Sequence, residues 1–319
     1  PISVTADNFS KVYGNTDPAL TYQITSGSLS GSDSFSGALM RASGENVGTY
    51  AIGIGSLTLP SSYALTFLGG NLTVTTRPIT VTADAKSKTY GNADPTLTYN
   101  LTAGSLVGTD AFSGALSRNA GENVGAYSII KGALDAGSNY ALTYAGANLT
   151  VAARPLTITA DAKSKTYGDA NPNLTYAVSG AGLVGGDALT GSLSTAAMAT
   201  SAAGLYTIDQ GSVAASSNYA LTYAGANLTV SARPLTVTAD AKSKTYGNAD
   251  PTLTYNVTSG SLVGADVFSG ALARNAGENI GSYAINKGSL DPGSNYALTY
   301  AGANLSVTPR SITLTADAK

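Results

Sequence analysis

The chain has 319 residues, a formal net charge of −2, only 11% charged residues, 37 glycines, and no cysteine, histidine or tryptophan. Without Cys and His there is no zinc finger, haem ligation, iron–sulfur cluster, Ser-His-Asp triad or Cys-His pair. The near balance of 17 basic and 19 acidic residues argues against a polyanion partner. No apolar run approaches the roughly 18 residues that span a membrane.

Self-similarity dominates the sequence. The pair Tyr13-Gly14 recurs at Tyr90-Gly91, Tyr167-Gly168 and Tyr246-Gly247, spaced 77, 77 and 79 residues apart. Arg77-Pro78, Arg154-Pro155 and Arg233-Pro234 keep the same spacing. A period this long exceeds the common solenoid units and suits a small domain with its own core. The expected boundaries are 1–77, 78–154, 155–233 and 234–310, with 311–319 as the first strand of a fifth repeat. The chain opens on Pro1 and closes within a repeat, which is expected of a piece cut from a longer array.

The second repeat shows the elements in order. Ile79, Val81 and Ala83 alternate with Thr. Leu97, Tyr99 and Leu101 alternate with Thr98 and Asn100. Tyr127 and Ile129 flank Ser128. Tyr140, Leu142 and Tyr144 form a further run, and Leu149 and Val151 close the repeat. Period-2 alternation marks half-buried strands, and the Gly, Pro and Asx clusters between the runs mark turns. No long stretch of helical periodicity appears; the Ala-rich Leu193–Ala203 segment fits an all-β reading least well. Five to seven short strands per repeat predict an all-β chain of four small immunoglobulin-like β-sandwich domains. A β-grasp-like repeat is the alternative, but it needs a helix that the sequence does not offer. Tyrosines in the core need hydroxyl partners and are expected near the sheet rims. Between repeats, Ala152-Ala153-Arg154-Pro155 leaves no flexible linker, and Pro155 restricts the backbone. Four domains in line, an elongated rod, are expected.

The run TADAKSKTYGNADPTLTY, followed by GENxGxY, NYALTY and NLTV, resembles the MBG-type repeats of the YGX variety. The resemblance implies tandem domains of large bacterial secreted or surface proteins, many of them adhesin-like. It implies an extracellular or cell-surface stalk or fibre and no catalytic residues; no metal site or cofactor is expected. The third repeat departs from the pattern: it lacks the Gly-Glu-Asn turn and has Asn171-Pro172 for Asp-Pro.

Among chemistry-bearing residues, Asp84 and Asp94 recur as Asp7/Asp17, Asp161/Asn171 and Asp240/Asp250. Their spacing fits turns and salt links better than calcium ligands. Asp84 and Lys88 are expected to share one face of a strand and attract weakly; a Lys–Asn cross-link is the sharper reading. Arg118 and Glu122 recur as Arg41/Glu45 and Arg274/Glu278 and vanish together in the third repeat. Joint loss is what an ion pair bracing one turn predicts. Sequons such as Asn148-Leu149-Thr150 read as strand composition. The tyrosine of the Tyr-Gly pair, placed in a turn, is the one left for a sugar-stacking face. No phosphate loop or basic cluster is present. The leading expectation is a structural stalk or fibre segment of a surface adhesin; the alternative is a multivalent carbohydrate- or receptor-binding module. Expected partners are the neighbouring repeats and other copies through strand pairing of Ser311–Lys319, with no nucleic acid and no membrane insertion.

Overall fold

The computed structural model describes residues 1–316. The described residues are all-β and contain no helix, so the helix that a β-grasp repeat needs is not found among them. The chain divides into two compact units, one of residues 1–154 and one from Pro155 onward, each holding two repeats.

Each repeat is built from seven strands. In the first they are β1 (Ile2–Ala6), β2 (Phe9–Val12), β3 (Tyr22–Ser26), β4 (Met40–Arg41), β5 (Gly48–Gly53), β6 (Leu65–Leu68) and β7 (Gly70–Thr75). They form a three-stranded sheet in the order β3-β1-β6 and a four-stranded sheet in the order β2-β7-β5-β4. β1 pairs antiparallel with β3 and parallel with β6, with Val4 opposite Phe67. β7 pairs antiparallel with β5 and parallel with β2. The same two sheets recur in all four repeats.

Most of the alternation read from the sequence is the packing pattern; the exception is the run Leu97, Tyr99 and Leu101, where the strand begins only at Tyr99 and Leu101 is exposed. Ile2, Val4 and Ala6 turn inward from the smaller sheet, and Ile52 and Leu72 from the larger one, into a single cluster with Leu39 and Leu57. Equivalent clusters lie within the second, third and fourth repeats, around Leu149, Leu228 and Leu305. Each repeat therefore has a core of its own, at about 1.5–3 kcal/mol for each large aliphatic side chain buried, and apolar contact continues into the next repeat of the unit, where Tyr13 packs on Ile79 and Tyr140, and Tyr167 and Val230 cluster with Leu235 and Tyr296. Tyr144 and Tyr300 sit at the border of their cores and donate their hydroxyls to the carbonyls of Ile129 (2.9 Å) and Ile285 (2.8 Å). Phe67 fills that place in the first repeat.

Two expectations need correction. Asp84 and Lys88 do not share a strand: the first strand ends at Ala83, and Lys88 is the inward residue of a separate strand, Lys86–Thr89, in the other sheet. Ser311–Ala316 form no strand among the described residues, whereas β1, which they resemble, is held between β3 and β6 of its own repeat. The remainder of that segment, 317–319, lies outside the described residues.

Candidate functional site at the Tyr-Gly turn

β2 ends at Val12 and runs into the turn Tyr13-Gly14-Asn15. Two constellations meet at this turn. One is a four-residue ion cluster inside the repeat; the other faces the next repeat of the same unit.

The cluster is centred on a buried ammonium. Lys11 is 8% exposed, and its Nζ lies 2.5 Å from both Asp17 Oδ1 and Glu45 Oε2. Arg41 closes the ring: its Nε is 2.6 Å from Asp17 Oδ2, and its Nη2 meets Glu45. Arg41 Nη1 donates to the carbonyls of Ala42 (2.8 Å) and Gly44 (2.6 Å), and the guanidinium lies 5.4 Å from the centre of the Tyr50 ring. The Tyr50 hydroxyl in turn donates to Asn46 O at 2.7 Å. The same arrangement recurs around Lys88, Asp94, Arg118 and Glu122, and around Lys244, Asp250, Arg274 and Glu278. The Arg–Glu clamp read from joint loss is thus one side of a larger ring.

This geometry accounts for the GENxGxY motif. The glycine of the turn packs flat on the tyrosine ring: a Cβ on Gly121, at φ +143°, would fall 2.0 Å from Tyr127 Cε1. Hydrogen bonds from Arg118 first and Lys88 second hold the Asp94 carboxyl down at about 2; Asp17 and Asp250 are lowered likewise to about 2. Hydrogen bonds to Asp94 and Glu122 raise Lys88. Both partners are thereby held charged, which opposes amide formation, since that needs a neutral amine.

Asp84 does not pair with Lys88. Its strand, Arg77–Ala83, ends just before it, and Lys88 lies on a strand of the other sheet. Asp84 instead accepts from Thr98 Oγ1 at 2.5 Å and Asn100 Nδ2 at 2.6 Å, pinning the edge strand. In the third repeat Lys165 stays buried and donates to the carbonyls of Asp169 (3.2 Å) and Met198 (2.5 Å). Asn171 turns to Ala197 O at 2.6 Å. The longer loop, through Met198, and the Tyr-Gly turn, through Asp169, supply carbonyls where the other repeats supply carboxylates.

The second constellation joins repeats 1 and 2. Tyr13 donates to Asp110 Oδ2 at 3.0 Å, and Tyr140 donates to the same oxygen at 2.6 Å. The two rings meet edge to face at 5.6 Å. The Val107 amide donates to Tyr140 Oη at 2.8 Å. Gly14, at φ +80°, lies against Val107; a Cβ there would sit 2.3 Å from Val107 Cγ2. Arg77 reaches back to Tyr13 O (3.2 Å) and Asn15 Oδ1 (3.3 Å) and forward to Ser105 O (3.0 Å). Asn139 accepts from the Val47 amide at 2.9 Å and donates to Asn46 Oδ1 at 3.0 Å.

Repeats 3 and 4 are joined in the same way. Tyr167 and Tyr296 share Asp266 at 2.9 and 2.6 Å, Gly168 lies on Val263, and Arg233 Nη1 bonds Tyr167 O and Asp169 Oδ1. The Ala203 amide donates to Asn295 Oδ1 at 2.9 Å. The hydrogen bond to Asp110 raises Tyr13, whereas burial foremost raises Tyr140. Sequence reasoning placed Arg77-Pro78 at the joint but missed Val107, Asp110 and Asn139. Their signal is the recurrence of Leu-Val-Gly-x-Asp and Ser-Asn-Tyr in repeats 2 to 4, where repeat 1 has Ser30 for the valine and Ser62 for the asparagine.

The MBG domain (YGX type) matches four times, at residues 2–73, 79–150, 156–229 and 235–306. The chain belongs to this family. The tyrosine and glycine that characterise the YGX variety are, in this MBG chain, the pair that contacts the following repeat within each unit. No curated protein sequence matches the chain.

Proposed function

We propose that this chain is a non-catalytic structural segment, a stalk or fibre element of an adhesin-like protein at a bacterial cell surface or beyond it. Its small repeats act as immunoglobulin-like sandwiches set in line, and its product is length. One observation carries this reading. Within each unit, a single aspartate accepts tyrosine hydroxyls from two successive repeats, while glycine, arginine and asparagine close the joint around it. Such a joint uses side chains that a ligand-binding module would leave open; Tyr13 and Tyr167, two of the four Tyr-Gly tyrosines considered for a sugar face, are engaged in it. The test is immunogold labelling of intact producing cells with antibody against this segment, paired with a glycan array probed with the chain. Labelling at a distance from the envelope with a blank array is expected. Label confined to the cytoplasm, or selective glycan binding lost on mutation of the tyrosines, would overturn the reading.

A further inference from the structure

The residues that receive the following repeat in repeats 1 and 3 are also present at the C-terminal end of repeat 4. Tyr246, Gly247, Asn279, Ile280 and Arg310 stand where Tyr13, Gly14, Asn46, Val47 and Arg77 stand in repeat 1. Among the described residues they meet no valine and no aspartate such as Val107 and Asp110. Tyr246 is 47% exposed, against 5% for Tyr167, and Ile280 is 61% exposed. A Cβ on Gly247 would meet Arg310 Nη1 rather than a valine methyl.

The opposite face, at the N-terminal end of repeat 1, lacks half of the matching set. Tyr63 still donates to Asp33 at 2.7 Å and accepts from the Ser30 amide at 2.9 Å, so the internal part of the arrangement is kept. Ser30 offers no valine methyls to cover a Tyr-Gly turn. Ser62, on its shorter side chain, stands where Asn139 bridges to the neighbouring turn.

We propose that the C-terminal end of repeat 4 is a docking face for the N-terminal end of another MBG repeat, one carrying the valine, aspartate, asparagine and tyrosine found at Val263, Asp266, Asn295 and Tyr296. The N-terminal face of repeat 1 does not qualify, so copies of this chain do not stack end to end. The inference rests on reading the repeats as a jointed array and adds a rule for which repeat can follow which. Shape complementarity at the glycine and paired hydrogen bonds at the tyrosine and asparagine give the selectivity, because a partner that leaves these groups unmatched loses them to no compensating contact.

The test replaces residues 311–319 of the full chain with a second copy of 78–154, and in a parallel chain with a second copy of 1–77. Nitration of Tyr246 by tetranitromethane is followed by peptide mass mapping. With the 78–154 copy, Tyr246 nitration is expected to fall to the level of Tyr167; with the 1–77 copy it stays near that of the parent chain. Introducing Val107→Ser and Asn139→Ser into the added copy, both residues that repeat 1 tolerates, restores the reactivity. Unchanged nitration with the 78–154 copy, or equal protection by both copies, overturns the proposal. Sedimentation of the parent chain is expected to show a monomer at all concentrations, and end-to-end association would refute the selectivity. Solution scattering on the same chains separates this from the structural reading: an extended chain with a reactive Tyr246 defeats the docking rule alone.

Discussion

Lys88 sets the chemistry of its repeat at the scale of single residues. A buried ammonium is costly to leave unpaired, and here two carboxylates hold it while Arg118 holds the carboxylates. Asp94→Ala is expected to destabilise the second repeat by about 1–3 kcal/mol, the usual cost of a buried polar group deprived of its partner. Adding Lys88→Met should recover part of that loss, since the orphaned charge is then gone. Hydrogen-exchange protection of strand Gly125–Ile130 reads both effects, and strictly additive losses would contradict the ring. Gly121→Ala should also cost about 1 kcal/mol or more, because its positive φ and the Tyr127 ring both exclude a Cβ. The ring also sets an acid limit. The carboxyls of Asp17, Asp94 and Asp250 lie lower in the folded state, at about 2, than in an unfolded chain. Their stabilisation is therefore complete above the ordinary carboxylate range near pH 4 and is lost as pH falls towards 2. Exchange measured between pH 5 and pH 2.5 should show repeats 1, 2 and 4 loosening through this route. Repeat 3, whose Lys165 is held by carbonyls, should not loosen by it.

At the scale of elements, repeat 3 is the exception. It has a longer loop in place of the Arg–Glu pair and lacks the guanidinium packed on the turn tyrosine in the other repeats. Its strands Gly204–Asp209 and Ala226–Ser231 are expected to exchange faster than their counterparts, and equal protection would show that backbone carbonyls replace the ring without loss. Strands with apolar alternation were legible from sequence because a half-buried sheet writes its period directly into the chain. Lys86–Thr89 was not, since a lysine occupies its inward position. The partner of Lys88 was misassigned for a related reason: spacing by four implies a shared face only within one strand, and the turn after Ala83 moves the chain to the other sheet. The Arg118–Glu122 pair was legible because the third repeat lost both residues at once. The joint residues Val107, Asp110 and Asn139 were harder to see, because their partners lie in a different repeat, 97 positions away for Tyr13 and Asp110.

Between elements, Tyr13→Phe tests the joint within the first unit. It removes one of the two hydroxyls on Asp110 and keeps the ring contact, so part of the coupling between repeats 1 and 2 should go. Nitrogen-15 relaxation should then show the two repeats reorienting more independently, while the core strands of each keep their exchange protection. A collapse of protection throughout repeat 1 would show that the tyrosine serves its own core instead.

For the whole molecule, the proposed function requires that each repeat have its own core and be joined stiffly to the next, so that repetition becomes reach. Small-angle X-ray scattering of the monomeric chain tests this most directly. Under that proposal the chain should extend to about 150 Å, with a radius of gyration near 40 Å on the dimensions of small sandwich domains. A radius of gyration near 20 Å, that of a compact globule of this length, would contradict it.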